Sequence, residues 1–466
     1  MSPPRLLLVN PWITDVAAFD LWAWPIGLLY WAERLRGWGF EVGLVDCTDR
    51  HHPGLEPYGK RPRAFGTGKY HAERIHPAPE PVQRADRPFR RYGYPLELFQ
   101  AELQALEARL GGPPDVILVS SRMTYWYPGV QLAIRLLREQ WPDRHIPILL
   151  GGIYATLCPE HARVTSGADL VLEGEAFDTL PAWLRERFPA MASRIVPPDP
   201  DPEAWPRPAF DLCHGHDALP LLTSIGCPHH CSYCASKKLA PVCRRRSPDS
   251  VFQELQDHHS RWGTTDFAFY DDALLTHSEQ FFEPLMDRVL ESGLPVRFHT
   301  PNGVHYTRIT PRLADKMAHA GVRTIRLSLE TVSRERLASW NRPGDNAAFR
   351  HAVEALLEAG FDHDQIGVYI LAGVPGQTPD EIRDTIDLAL AAGATPRLNE
   401  YSPIPQTREW PRAQELSGPE IEQEPLWQNN SLYYTRPEAF SRPAFEELRR
   451  YARQGSPEKE EATPPS

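Results

Sequence analysis

Cys227, Cys231 and Cys234 stand in the run Cys227-Pro228-His229-His230-Cys231-Ser232-Tyr233-Cys234, a C-x3-C-x2-C spacing on one short stretch. Three thiolates this close together can each hold one iron of a cubane cluster, leaving the fourth iron without a protein ligand and free to bind another molecule. Cys243, nine residues beyond Cys234, offers an alternative: a four-thiolate site holding structural zinc or a fully ligated electron-transfer cluster. Zinc sites more often come as two C-x2-C pairs, which weighs against it. Cys47, Cys158 and Cys213 have no partner at ligand spacing and read as small buried residues.

Such a cluster must be held by folded elements, and the chain is long enough to supply them. Its 466 residues allow about three domains. The 50 Lys+Arg against 61 Asp+Glu give a formal charge of −11, which disfavours a polyphosphate partner held by bulk electrostatics, so no nucleic acid is expected. Seven cysteines is an odd count, and residues 1–10 hold one Arg and a short apolar run, too little for a secretory core. The expectation is a reducing, cytoplasmic setting in which clustered cysteines mean metal or redox chemistry. No stretch approaches the roughly 18 uninterrupted apolar residues of a membrane span. The 48 prolines, about twice the usual share, mark helix starts, turns and linkers.

Short apolar runs alternating with helical patterns predict strands over 5–10, 41–46, 115–120, 147–150 and 168–172. They indicate a doubly wound, Rossmann-like parallel sheet with ligands at the carboxyl ends of its strands. In the second half, strands are expected over 221–225, 266–270, 296–300, 324–329, 367–372 and 397–401. Ser247-Pro248, Thr310-Pro311 and Thr378-Pro379 open helices, with Glu381 completing a capping box, and Gly321, Gly360 and Gly393 close them. Six such units suggest a partial (β/α)6, TIM-like barrel with functional residues at the strands' carboxyl ends. The expected boundaries are a first domain over 1–195 with a long insertion at 47–113, a Pro-rich linker at 196–220 and a barrel over 221–412. An extension over 413–453 and a disordered tail over 454–466 follow.

The cysteine spacing after the first barrel strand resembles the radical S-adenosylmethionine (SAM) superfamily. The resemblance implies a [4Fe-4S] cluster on Cys227, Cys231 and Cys234, with the open iron chelating SAM. Tyr233 matches the aromatic that lies near the adenine. Asp272, in Tyr270-Asp271-Asp272, falls where the superfamily often has a G-G-E-like stretch for the SAM amino group, although the glycines are missing here. Ser328 and Glu330 resemble the polar positions that bind the ribose or amino group, and Arg342 the arginine that pairs with the SAM carboxylate. Gly373 and Gly376, in Gly373-Val374-Pro375-Gly376, resemble the adenine-side motif.

The order of doubly wound domain, linker and barrel resembles the cobalamin-binding radical SAM subfamily. That resemblance places Ser120, Ser121, Gly151, Gly152, Glu173, Gly174 and Glu175 around a cobalamin. Asp49-Arg50-His51-His52-Pro53-Gly54 fits D-x-H-x-x-G, whose histidine ligates cobalt in many cobalamin enzymes, but it follows the second strand instead of the first, so His51 is not expected on the cobalt axis. The implied chemistry is reductive cleavage of SAM to a 5′-deoxyadenosyl radical, followed by C-methylation or a related modification of a small molecule or lipid. The electron comes from an external donor such as flavodoxin or ferredoxin. Two other readings stay open: a radical SAM enzyme whose N-terminal domain no longer binds cobalamin, and a non-enzymatic cobalamin- or redox-responsive iron–sulfur protein. Transfer-RNA methylthiotransferases usually carry three further N-terminal cysteines and a basic C-terminal module, neither of which is present in this sequence.

Overall fold

Strands covered by helices on both faces are apolar along their whole length, and such runs build the core of each of two compact units. The computed structural model describes residues 3–59, 64–84, 87–433 and 440–455. One unit comprises residues 1–220, 238–241 and 420–429; the other comprises 221–237, 242–419 and 430–466. Residues 456–466 of the expected disordered tail lie outside the described residues.

In the first unit β1 (Arg5–Asn10), β3 (Glu41–Asp46), β6 (Val116–Val119), β7 (Ile148–Leu150) and β8 (Leu170–Val171) form a parallel sheet in the order β3-β1-β6-β7-β8. The strand order reverses between β1 and β6, where ligands of open α/β sheets bind. The helix Ile26–Trp38 buries Leu28, Leu29, Ala32 and Leu35 and ends at Gly39, whose φ of 97° is the left-handed cap.

Residues 47–113 carry more structure than a loop. β4 (Ala72–Arg74) and β5 (Arg90–Tyr92) join β2 (Ile13–Asp15) in an antiparallel sheet, with Ile13, Tyr70 and Tyr92 as its small core. The helix Leu96–Arg109 then returns the chain to β6, and Leu106 fills the space left by Gly43, where a Cβ would come within 2.5 Å of its Cδ2. The Pro-rich stretch 196–220 packs along the first helix: Arg34 lies 4.4 Å over the Trp205 ring, and Phe210 is fully buried. Segment 420–429 is a strap in the same unit, buried over residues 425–429. Asn429 donates to Asp15 at 2.9 Å, and the Tyr127 hydroxyl donates to Glu424 at 2.9 Å.

A second sheet runs in the order β9-β12-β13-β14-β15-β16; β12 (Asp266–Phe269), β13 (Arg297–His299), β14 (Val322–Glu330), β15 (Ile366–Ala372) and β16 (Thr395–Glu400) belong to the second unit, as does Leu221 at the end of β9 (Ala218–Leu221). From β12 to β16 every neighbouring pair is parallel. Ser247, Thr310 and Thr378 each cap the helix they open, and Gly321, Gly360 and Gly393 take φ near 90°.

Two expectations need correction. The first barrel strand ends at Leu221; Ser224–Ile225 forms a separate short strand, β10, paired with β11 (Arg244–Arg245). The break follows from the buried Asp271 carboxylate, which accepts from the Thr223 hydroxyl at 2.6 Å and from its amide at 3.2 Å, drawing the backbone out of the sheet. Glu381 does not close a capping box, because its carboxylate is taken by Arg336 at 2.7 Å and Thr331 at 3.1 Å.

Two outcomes follow for the first unit. Asp15 is buried and accepts from Asn429 and Trp126, so Asn429→Ala should cost about 1–3 kcal/mol in urea unfolding; a change below about 0.5 kcal/mol would mean that the strap is not anchored there. Asp46 is buried at the end of β3, and burial, with Asp49 adding to it, pushes its carboxyl from 3.8 up to about 6. Between those values the folded chain keeps a proton that the unfolded chain has released, so stability falls as pH rises through that window and the full penalty stands above it. Asp46→Asn should flatten this dependence and gain up to about 3 kcal/mol near neutral pH. Parallel urea-stability profiles for the two proteins would contradict it.

Candidate active site

The cysteine loop leaves β10 and is clamped from two sides. The Ser232 amide donates to the Trp340 carbonyl at 3.1 Å, and its hydroxyl donates to Glu409 at 2.7 Å, while the Glu409 amide returns a bond to the Ser232 carbonyl at 3.1 Å. At the loop's root Asp271 binds Thr223 and Ser224. Cys227 is buried, Cys231 half-buried and Cys234 exposed. Burial pushes the Cys227 thiol up to about 11, so metal binding must displace its proton. Donors already surround the other two sulfurs: Arg342 Nη1 lies 3.6 Å from Cys231 Sγ, and the Ser236 amide lies 3.4 Å from Cys234 Sγ. Burial raises the Cys234 thiol, with the Ser236 contacts opposing it, and soft sulfur donors suit an iron–sulfur cluster, so the set fits that group.

The three cysteines open on a cavity of about 190 Å³ that Tyr233, Asp272, Ser328, Glu330 and Arg342 also line. Cys243 does not line it; its thiol donates to the Gly226 carbonyl at 3.7 Å. Arg342 is the hub. Its guanidinium donates to the Ser328 carbonyl at 2.8 Å and the Tyr233 hydroxyl at 3.3 Å, and it faces Glu330 at 3.7 Å. Burial alone would lower the guanidinium, but Tyr233, Glu330 and Cys231 outweigh it and hold Arg342 above its ordinary value. Burial raises the Glu330 carboxyl, with Arg342 opposing.

Glu330 reaches the cavity through a backbone irregularity. The pairing of β14 with β15 shifts register between Ser328 and Glu330, and Glu330 sits at φ 69°. A bulge re-aims a side chain at a strand end, and a bulky residue at positive φ is strained. Gly373 and Gly376 do not line the cavity. They belong to a turn that Gln377 pins by accepting from the Gly373 amide at 2.9 Å and donating to the Leu371 carbonyl at 2.9 Å.

Sequence reasoning missed the loop after β13. Asn302, His305 and Arg308 line the cavity, as does His229 within the cysteine loop. The signal was available, since carboxyl ends of parallel strands carry function and Asn302-Gly303 lies three residues past the end of that strand. Gly303, at φ 79°, is required there because a Cβ would come within 2.9 Å of Ser328 Oγ.

In the first unit the residues assigned by resemblance gather at the carboxyl ends of β6, β7 and β8. Ser121 donates to the Gly151 carbonyl at 2.6 Å and accepts from the Ala155 amide at 3.3 Å. A Cβ at Gly152 would strike the Ser121 carbonyl at 2.1 Å, whereas Gly151 and Gly174 would meet nothing within 3.8 Å, which leaves their backbone open to a ligand. Ser120 follows β6, and Glu173 is paired with Arg163. His51 is packed against Gly215, while its neighbour Asp49 accepts from His214 at 2.8 Å.

Residues 221–389 match the Radical SAM superfamily. The chain is 23% identical over 455 residues to cytidylyl-2-hydroxyethylphosphonate methyltransferase of Streptomyces wedmorensis, covering 84% of this chain and 77% of that protein. Its fold is similar to that of the radical SAM methyltransferase TsrM from Kitasatospora setae, with TM-score 0.62, 17% identity, and coverage of 88% of this chain and 76% of the other. It is also similar to the cobalamin-dependent SAM radical enzyme OxsB, with TM-score 0.55, 12% identity and coverage of 91% and 56%. Among the described residues no helix is long and apolar enough to cross a membrane.

Removing the hub should expose its role. Arg342→Met leaves Glu330 enclosed without its cation and should destabilise the cofactor-free protein by about 3–5 kcal/mol in urea unfolding. Adding Glu330→Gln should recover most of that loss. If the double variant is no more stable than the single one, the pair is not coupled as described.

Proposed function

We propose that this chain, whose residues 221–389 are a radical SAM domain and which is an enzyme of the radical SAM methyltransferase kind, uses cobalamin to methylate carbon in a small molecule or lipid. The observation that carries the reading is the cavity in which three cysteine thiols, Arg342 and Glu330 meet at the carboxyl ends of consecutive parallel strands. In this reading the second unit is a partial (β/α)6 barrel and the first is a doubly wound, cobalamin-binding-type domain.

When bound, a [4Fe-4S] cluster, SAM and cobalamin supply one-electron cleavage chemistry and a transferable methyl group. The protein's work is to hold and orient. Cys227, Cys231 and Cys234 would hold the cluster. Arg342, fixed by the Ser328 carbonyl and the Tyr233 hydroxyl, presents its cationic face to a carboxylate. Glu330 and Ser328 would take the amino group or ribose, Tyr233 would lie beside the adenine, and Asp272, which lines the same cavity, would face the amino group. Gly373 and Gly376 keep the adenine-side turn in shape. Ser120, Ser121, Gly151, Gly152, Glu173, Gly174 and Glu175 border the cobalamin, with backbone approach as their contribution. An external donor such as flavodoxin or ferredoxin, in a reducing cytoplasm, delivers the electron. Similarity to a methyltransferase of a cytidylylated phosphonate supports a methyl-transferring role and leaves the acceptor's identity open.

The test is anaerobic reconstitution with iron, sulfide and hydroxocobalamin, followed by absorption spectroscopy and a SAM-cleavage assay under strong reductant. Cys231→Ala should lose the cluster band and 5′-deoxyadenosine formation, whereas Cys243→Ala should keep both. Absence of SAM cleavage by the wild type would sink the proposal. A corrin band that survives gel filtration supports cobalamin dependence and should persist in His51→Ala; its loss from the wild type reduces the reading to radical chemistry without cobalamin.

A further inference from the structure

His305 follows β13 and lines the cysteine cavity. Its ring packs beside His229, at a centroid distance of 5.3 Å, and Tyr306, at 5.1 Å. One ring nitrogen is taken: the Thr307 amide donates to Nδ1 at 3.4 Å, and the Thr307 hydroxyl lies 2.8 Å from the same atom. A backbone amide can only donate, so Nδ1 is the acceptor and the ring proton resides on Nε2. That Nε2–H is buried and has no hydrogen-bond partner among the described residues. Leaving a buried donor unpaired is costly, and buried polar groups are paired in the great majority of cases. Three residues on, the solvent-exposed Arg308 lines the mouth of the same cavity, and no ion pair among the described residues holds its guanidinium away from a ligand. It differs in this from Arg342, whose charge already faces Glu330.

We infer that His305 and Arg308 form an oxyanion subsite of the cysteine cavity, in which Nε2–H donates to a carboxylate, phosphate or phosphonate oxygen of a bound molecule and Arg308 balances its charge. A charged acceptor draws the stronger kind of hydrogen bond from such a donor, and an arginine fork suits the planar or tetrahedral oxygens of these groups. The oxyanion can come from SAM's own carboxylate or from the methyl-accepting substrate. The inference rests on the proposed function for the identity of the cavity, although the anion-binding chemistry belongs to the two side chains.

The experiment measures binding of SAM and, separately, of inorganic phosphate to the anaerobically reconstituted holoenzyme by titration calorimetry. Wild type is compared with His305→Phe, which keeps the ring stack without the donor, His305→Gln, which restores an N–H, and Arg308→Met. If the anion is SAM's carboxylate, SAM affinity should fall about 10- to 100-fold in His305→Phe and Arg308→Met and stay within about threefold of wild type in His305→Gln. If it belongs to the acceptor, SAM affinity should hold while phosphate affinity falls by that factor in the same two variants. Unchanged SAM affinity together with phosphate binding that is absent or indifferent to His305 overturns the subsite. Circular dichroism melting confirms that each variant is folded. Failure to assemble a cluster or cleave SAM counts against the proposed function, whereas the phosphate titration reads the subsite either way.

Discussion

A buried guanidinium organises the candidate site. Arg342 joins the cysteine loop, through Cys231 and Tyr233, to the end of β14, through the Ser328 carbonyl and Glu330. An arginine so enclosed needs acceptors for its N–H groups; here those of Nη1 and Nη2 come from separate parts of the chain, while the Nε–H has none among the described residues. Its position therefore sets the distance between the sulfur ligands and the strand whose bulge presents Glu330. The strained φ at Glu330 is held because the surrounding packing fixes it.

Beneath that layer buried carboxylates do similar work. Asp271 pulls residues 223 and 224 out of the sheet and so sets where the cysteine loop begins. Asp266, at the start of β12, accepts from Arg297 at 2.8 Å and bonds His299 at 3.0 Å; burial would raise its carboxyl, but these hydrogen bonds hold it below the usual range. Each anion is matched by donors on a neighbouring strand or loop, so the chemistry at the carboxyl ends stands on a floor of satisfied polar contacts instead of a purely apolar core.

The first unit shows a different economy. Its carboxyl-edge loops bind one another: Ser121 spends its hydroxyl on Gly151 and Ala155, and Gly152 is pressed against the Ser121 carbonyl. What remains for a ligand is backbone and open surface at Gly151 and Gly174. The strap at 420–429, expected from sequence only as part of the extension over 413–453, has a physical role in this unit through Asn429 and Asp15.

The sequence by itself determined most of the parallel strands, the Ser-Pro and Thr-Pro helix starts and the cysteine triad, because apolar runs, N-cap residues and C-x3-C-x2-C spacing are local signals. It also pointed to Tyr233, Asp272, Ser328, Glu330 and Arg342, which the fold does bring to one cavity. Only the tertiary structure could show that Gly373 and Gly376 lie off that cavity, that Glu381 serves Arg336 instead of its own helix, and that residues 47–113 contain an antiparallel sheet. It also added His229, His305 and Arg308 to the cavity wall. The physical reason is one of range. Capping and periodicity act over a few residues, whereas the partner of a buried charge or an orphaned N–H is chosen by whatever the fold places within about 3 Å, and that neighbour can lie a hundred residues away in the chain, as Cys231 does from Arg342.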